Sequence, residues 1–138
     1  MAVKKGYKQL VEEAEALIKT YSVEEALAFE GREDIVLVDI RDVRELQKLG
    51  KLPGAVHAPR GMLEFWVDPD SPYHREVFAA EEKEYVMYCG SGWRSALAAK
   101  AMHEMGLTNF AHIGGGFSGW KEAGGTIEEF KRKSRKKG

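Results

Sequence analysis

The chain has 138 residues, of which 43% are hydrophobic and 31% charged, which suits one globular domain and excludes a disordered or collagen-like chain. Its single cysteine, Cys89, excludes an intramolecular disulfide, a cysteine-rich metal site and a CxxC redox pair. The near-zero net charge conceals an acidic body, since residues 1–130 hold 15 basic and 22 acidic side chains, followed by a basic segment at 131–138. Any sulfur chemistry therefore depends on Cys89 alone.

The first half of the chain alternates segments with helical and strand-like patterns. Apolar side chains at helical spacing predict an amphipathic helix near the N-terminus. Ser22 with Glu25 forms a capping box, which begins a second helix. In chain order we predict a helix over 7–20, a short helix from 23 that Gly31 ends, a β-branched buried strand over 35–38, a helix over 43–49 and a strand over 55–57.

The second half begins with a longer connection over 58–84, which contains three prolines. We expect helical turns in it over 61–66 and 72–79, the second beginning at Pro72. The remaining predicted elements are a strand over 85–88, a helix over 94–105, a strand over 110–113 and a short helix over 117–123. Strands that alternate with helices predict an α/β layer fold with a mainly parallel sheet.

Cys89 follows a predicted strand and precedes a predicted helix, and ligands of parallel α/β sheets bind at such strand ends. Backbone N–H groups and the helix dipole favour a thiolate at this place. Gly90 and Gly92 allow a tight turn around the sulfur, and Arg94 can hold an anion. Most unpaired cysteines are small buried hydrophobes, but this setting favours a reactive thiolate.

Three other predicted strand ends meet at the same edge of the sheet. Asp39 and Arg41 follow the first strand, and His57 and Arg60 follow the second. The segment 114–119 contains a GxGxxG pattern, but it lacks the following strand and acidic residue of a dinucleotide site. We interpret it as a wall of the cysteine pocket. The four histidines lack metal-ligand spacing, so neither a metal ion nor another cofactor is predicted.

Four segments in register resemble motifs of the rhodanese (sulfurtransferase) family. They are LVDIRD at 37–42, GKLPGAVH at 50–57, YCGSGWRS at 88–95, and GGGFSGW with EAG at 114–124. The resemblance covers roughly residues 22–124. It departs from the family at Lys51, where histidine is usual, and by one extra residue between Asp39 and Gly50.

The resemblance implies a three-layer rhodanese-like α/β fold with helices on both faces of the sheet. It also implies a ping-pong reaction in which Cys89 holds a persulfide and passes its sulfur to cyanide or an external thiol. Arg94 would orient the anionic donor, which is thiosulfate first and 3-mercaptopyruvate as the alternative. The loop residues implied to bind donor and persulfide are Gly90, Ser91, Gly92, Trp93, Arg94 and Ser95. Those implied to support the loop from behind are Asp39, Arg41 and Arg60, with a structural salt bridge as an equal reading for Arg41.

Two other functions stay open at the level of sequence. A cysteine-dependent phosphatase or arsenate reductase uses a similar loop with the pattern C-x5-R. Arg94 gives the pattern C-x4-R, and Tyr88 stands where histidine is customary, so the shorter loop suits one sulfur atom better than a phosphate. A non-catalytic binding module of the same fold would typically lack the cysteine or the charge of the loop, and this chain has both.

We divide the chain into a helical extension at 1–21, a rhodanese-like domain at 22–130 and a basic tail at 131–138. Nucleic acid binding by the tail is not favoured, because the acidic body would repel a polyanion. No apolar run approaches the roughly 20 residues of a membrane span, and the N-terminus lacks the apolar core of a secretory signal. We therefore expect a cytoplasmic protein with a reduced thiol and no membrane partner.

Overall fold

The structure is a computed structural model that describes residues 2–131, so most of the basic tail lies outside the described residues. Its strands are β1 (Lys19–Tyr21), β2 (Ile35–Asp39), β3 (Val56–His57), β4 (Glu84–Tyr88) and β5 (Phe110–Ile113). They form one sheet in the order β1-β5-β4-β2-β3, with every neighbouring pair parallel. The predicted parallel sheet is confirmed.

Helices cover both faces of this sheet. They are α1 (Tyr7–Leu17), α2 (Val23–Leu27), α3 (Val43–Leu49), α4 (Leu63–Val67), α5 (Trp93–Glu104) and α6 (Gly116–Glu122), with 3-10 turns at Arg60–Met62 and Glu76–Phe78. One apolar cluster joins the sheet to α4 and α5, and a second joins the opposite face to α2 and α6. The three-layer α/β architecture is therefore confirmed.

The central strand β4 shows why the cysteine lies where it does. Successive side chains of a strand point to opposite faces. Tyr85, Met87 and Cys89 accordingly pack on the α4 and α5 side, whereas Val86 and Tyr88 pack on the α2 and α6 side. All five are at most 1% exposed. The register of a fully buried strand thus fixes the face on which the sulfur emerges.

The first predicted helix is too long, because it ends at Leu17 and is followed by strand β1. Lys19 to Tyr21 pair in parallel with β5, and the N–H of Gly114 donates to the Tyr21 carbonyl at 2.9 Å. Thr20 and Tyr21 are residue types that favour strands, and the free edge of β5 offers hydrogen bonds that a helix end lacks. The predicted domain boundary at residue 22 stays a prediction, but the sheet begins before it.

The helical turns predicted over 72–79 form only in part, and their predicted start is wrong. Only the 3-10 turn Glu76–Phe78 forms there, and Pro72 does not begin a helix. The N–H of Tyr73 donates to the Ser71 hydroxyl at 3.0 Å, and the N–H of Arg75 donates to the Trp66 carbonyl at 2.9 Å. The first bond is a local turn that competes with a helix, and the second ties the segment to α4. Within residues 2–131, no helix combines the length and the apolar character of a membrane span.

Candidate active site

Cys89 follows β4 directly and is 1% exposed. Its Sγ accepts the N–H of Gly92 at 3.1 Å and that of Ser95 at 3.4 Å, so the loop turns its amides onto the sulfur. Gly92 precedes α5 with φ +107°, a left-handed conformation that glycine adopts without strain. Amide donors at the start of a helix stabilise negative charge on sulfur. The loop thus turns around the sulfur as predicted, but of its two glycines only Gly92 has a positive φ.

The glycine-rich segment after β5 supports the cysteine loop from one side. The N–H of Phe117 donates to the Cys89 carbonyl at 2.8 Å, and the N–H of Ser118 donates to the Gly90 carbonyl at 2.9 Å. Gly116 comes so close that a Cβ there would lie 2.5 Å from the Cys89 carbonyl oxygen. Backbone of this segment therefore packs directly on backbone of the cysteine loop.

Arg94 lies over the loop and is held by a carboxylate. Its guanidinium donates two hydrogen bonds to Glu45 of α3, at 2.8 and 3.1 Å. These bonds lower the pKa of Glu45 and raise that of Arg94, which the neighbouring Cys89 also raises to a smaller extent. About half of the Arg94 side chain is exposed, so an anion can reach it. The cation predicted for the loop is present, but partly neutralised.

Asp39 and Arg41 form a fully buried ion pair behind the loop. The Arg41 guanidinium donates to Asp39 at 2.8 Å and to the Gly50 carbonyl at 2.6 Å, and it stacks 4.2 Å from the ring of Phe117. The Phe117 N–H donates to the Cys89 carbonyl, so Phe117 links Arg41 to the loop. The salt bridge that the sequence offered as one reading of Arg41 is present, and the support of the loop by Arg41 stays a prediction.

The other predicted site residues lie farther from the sulfur. Arg60 pairs with Glu64 at 2.8 Å, and no hydrogen bond within residues 2–131 joins it to the cysteine loop. The exposed ring of Trp93 packs 4.9 Å from that of Tyr7 in α1, and Ser91 is exposed at the tip of the loop. Trp93 and Ser91 therefore lie on the exposed side of the loop, whereas Arg60 pairs within its own turn.

Sequence reasoning missed a hydrogen-bonded chain behind Cys89. Its Sγ lies 3.5 Å from the Ser95 hydroxyl, Ser95 Oγ lies 2.9 Å from His112 Nδ1, and His112 Nε2 lies 3.0 Å from Thr20 Oγ1. His112 is completely buried, and burial lowers its pKa to about 4, so the ring is neutral at pH 7. The only signal was strand pairing, which places His112 opposite Met87, two residues before Cys89.

Glu45 was likewise missed as the partner of Arg94. Position 45 lies within the helix predicted over 43–49, and nothing local in the sequence links it to position 94. The two meet because β2 and β4 are neighbours, so that the segments after both strands share one edge of the sheet. Only the strand order could have revealed this contact.

Comparisons with known proteins agree with this geometry. A family model described as "Rhodanese-like domain" matches residues 22–123. The Bacillus subtilis protein named "Putative sulfurtransferase YtwF" is 32% identical over 104 residues, which are 75% of this chain and 88% of that protein.

Two solved structures are similar over most of the chain. One is a protein of unknown function from Rhodopseudomonas palustris, described as a possible tyrosine phosphatase, with 48% identity and a TM-score of 0.88 over 93% of this chain and 98% of that one. The other is a polysulfide-sulfur transferase homodimer from Wolinella succinogenes, with 28% identity and a TM-score of 0.67 over 94% and 92%. With a family match that spans most of the sequence and includes the cysteine loop, the chain belongs to the rhodanese-like family.

Proposed function

We propose that this protein moves a sulfane sulfur from a small anionic donor to an external acceptor through a persulfide on Cys89. Sulfur transfer as a class is supported by the family match and by the sulfurtransferase relative. The observation that carries the finer proposal is the position of Sγ, which accepts two loop amides at the start of α5. Such donors favour the thiolate that must attack the donor.

The first half-reaction leaves sulfur on the enzyme. With thiosulfate as donor, the Cys89 thiolate attacks the outer sulfur atom, and a new S–S bond forms. The S–S bond inside thiosulfate breaks, and sulfite leaves with the electron pair. The loop amides of Gly92 and Ser95 then surround a sulfur pair in place of a single sulfur.

The second half-reaction needs an acceptor from outside, because the chain has no second cysteine. Cyanide forms a C–S bond with the outer sulfur and leaves as thiocyanate, while a thiolate forms a new persulfide. In both cases the bond to Sγ breaks, and its electron pair returns to Cys89. Trp93 and Ser91 of the cysteine loop are exposed, so such acceptors can approach the loop from solvent.

Phosphate ester hydrolysis is the second candidate, because the Rhodopseudomonas palustris relative is described as a possible tyrosine phosphatase. The spacing from Cys89 to Arg94 favours sulfur transfer, since the loop has one residue fewer than C-x5-R and offers less room to a phosphoryl group. The ion pair of Arg94 with Glu45 also reduces the positive charge available to a phosphate dianion.

The decisive experiment is intact mass measurement after incubation with thiosulfate. We expect the protein to gain the mass of one sulfur atom, to lose it on addition of cyanide, and to gain nothing as Cys89→Ser. The same samples are offered an aryl phosphate. Turnover of the phosphate ester without any gain of sulfur would overturn the proposal in favour of the phosphatase.

Variants of the ion pair over the loop test the role of Arg94. We expect Arg94→Ala to lower kcat/KM for thiosulfate about tenfold, because an anion-binding cation is lost. Glu45→Gln should raise it about threefold, since a competing carboxylate of a partly exposed pair is removed. The control is the rate at which neutral iodoacetamide alkylates Cys89, and this rate should change little in either variant. An equal loss in both assays for Arg94→Ala would assign the arginine to loop structure alone.

A further inference from the structure

The hydrogen-bonded chain behind Cys89 runs from the buried sulfur to the surface. Cys89, Ser95 and His112 are each at most 1% exposed, whereas Thr20 is exposed on the edge strand β1. Thr20 also lies outside the family match at 22–123. We propose that Thr20 and His112 are positioning residues that direct the hydroxyl proton of Ser95 onto the sulfur of Cys89. This inference rests on the proposed sulfur transfer.

The direction of the hydrogen bonds from Thr20 to Cys89 follows from the number of protons that each group can donate. A neutral imidazole has one N–H donor and one acceptor nitrogen, and a hydroxyl donates a single proton. If Thr20 donates to Nε2, then Nδ1 carries the proton and donates to Ser95 Oγ. The Ser95 proton is then available to Sγ, 3.5 Å away.

The reverse arrangement is possible only for a neutral thiol. The S–H would then donate to Ser95, Ser95 to Nδ1, and Nε2 to Thr20, with every contact in the chain kept. A thiolate can only accept, so negative charge on Sγ selects the arrangement in which Ser95 donates. The low pKa of the buried His112 keeps the ring neutral at pH 7, and both arrangements require a neutral ring.

The Gly92 carbonyl is a competing acceptor for Ser95, at 3.4 Å. It has no net charge, whereas the Cys89 thiolate does, and hydrogen bonds to charged acceptors are the stronger ones. A His112 ring that donates to Ser95 leaves the hydroxyl proton only the choice between these two acceptors. Beside a thiolate, the Thr20 hydroxyl donates to Nε2 and thereby stabilises the His112 tautomer that carries its proton on Nδ1, which favours donation from Ser95 to the sulfur.

The hydrogen bond from Ser95 to Sγ has its largest effect on the rate of the step in which sulfur leaves the enzyme. The acceptor attacks the outer sulfur, the S–S bond to Cys89 breaks, and the electron pair goes to Sγ. Charge on Sγ therefore grows during this step, and the Ser95 hydrogen bond strengthens with it. No proton is transferred in this step. A donor aimed at developing charge accelerates the step more than it stabilises the ground state.

The test measures discharge of the isolated persulfide by cyanide. We expect Ser95→Ala to slow discharge about tenfold to a hundredfold, the usual effect of removing a donor to a charged group. Thr20→Val should slow it about threefold to tenfold. Valine preserves the strand-favouring shape and the methyl, which lies 3.0 Å from the position that a Cβ would take at Gly114. Thr20→Ser keeps the hydroxyl and should restore the wild-type rate.

A double mutant separates positioning from a structural effect. Because Thr20 acts through Ser95, Thr20→Val should have no further effect in the Ser95→Ala background. The nitrogen chemical shifts of the His112 imidazole give an independent readout. We expect a proton on Nδ1 when Cys89 is a thiolate, and a shift toward Nε2–H in Thr20→Val.

The outcomes distinguish this inference from the proposed function. If the wild type gains no sulfur from thiosulfate, the proposed function fails, and the imidazole shifts still decide the hydrogen-bond direction. If the persulfide forms but Thr20→Val discharges at the wild-type rate, the positioning role is wrong and sulfur transfer stands. A proton on Nε2 beside the thiolate would overturn the inference as well.

Discussion

Replacement of Arg41 by methionine is expected to lower the free energy of unfolding by about 3–5 kcal/mol, as removal of one partner of a buried ion pair usually does. Arg41 and Asp39 are both completely buried, and the guanidinium supplies the cation of the Asp39 carboxylate. Methionine fills part of the volume but donates nothing, so Asp39 would lose those hydrogen bonds and the Gly50 carbonyl its donor. Urea denaturation measures the loss.

The chain contains its own control, because Arg44 and Asp42 form a second arginine–aspartate pair with the same spacing. That pair is exposed, with 83% of the Arg44 side chain accessible. Arg44→Met should therefore change stability little, since water solvates the carboxylate that remains. The double variant Asp39→Asn/Arg41→Met should recover part of the loss. Equal effects of Arg41→Met and Arg44→Met would contradict the importance of burial.

The second large effect is expected at Gly116. A Cβ there would lie 2.5 Å from the Cys89 carbonyl oxygen and 2.8 Å from that of Gly90, and the residue has φ +56°. Gly116→Ala must therefore push α6 and the cysteine loop apart. We expect a loss of about 2–4 kcal/mol in stability from left-handed strain and overpacking. Persulfide formation should slow about a hundredfold, because reacting groups tolerate little displacement.

Gly124 is the matched control for this substitution. It has φ +83°, and no heavy atom lies within 4 Å of its ideal Cβ. Gly124→Ala therefore carries the left-handed strain without the collision, which should give a smaller loss of stability and leave persulfide formation unchanged. The same mass assay and urea denaturation apply to both. If the two variants behave alike, the contact of α6 with the loop does not position Cys89.

The parts of the site that sequence predicted are those with local signals. A strand, then Cys89, then glycines and a helix is a continuous pattern, so the turn around the sulfur could be predicted locally, and Gly92 is the loop glycine that has a positive φ. The Asp39–Arg41 pair lies within three positions, which made a salt bridge a natural expectation. Local patterns also gave β2, β4 and β5 nearly their observed bounds.

The missed parts depend on distant segments. Glu45 meets Arg94, and Thr20 meets His112, only because of the order of strands in the sheet. The apolar spacing of α1 continued past its end, so a three-residue strand that gains stability from pairing was predicted as helix. Arg60 was placed with the loop because it follows a strand, but Glu64, one turn away, binds it instead.

Strand β1 lies at the edge of the sheet and before the segment that the family model matches. Its position therefore affects where a functional fragment of this protein can begin. Segments recognised by similarity begin at residue 22, so a fusion protein built from them would keep every signature motif of the cysteine loop. It would nevertheless leave out Thr20, the last group of the chain that ends at Sγ, and expose the edge of β5. The hydrogen bonds that lead to Sγ therefore begin two residues before the segment that the family model matches.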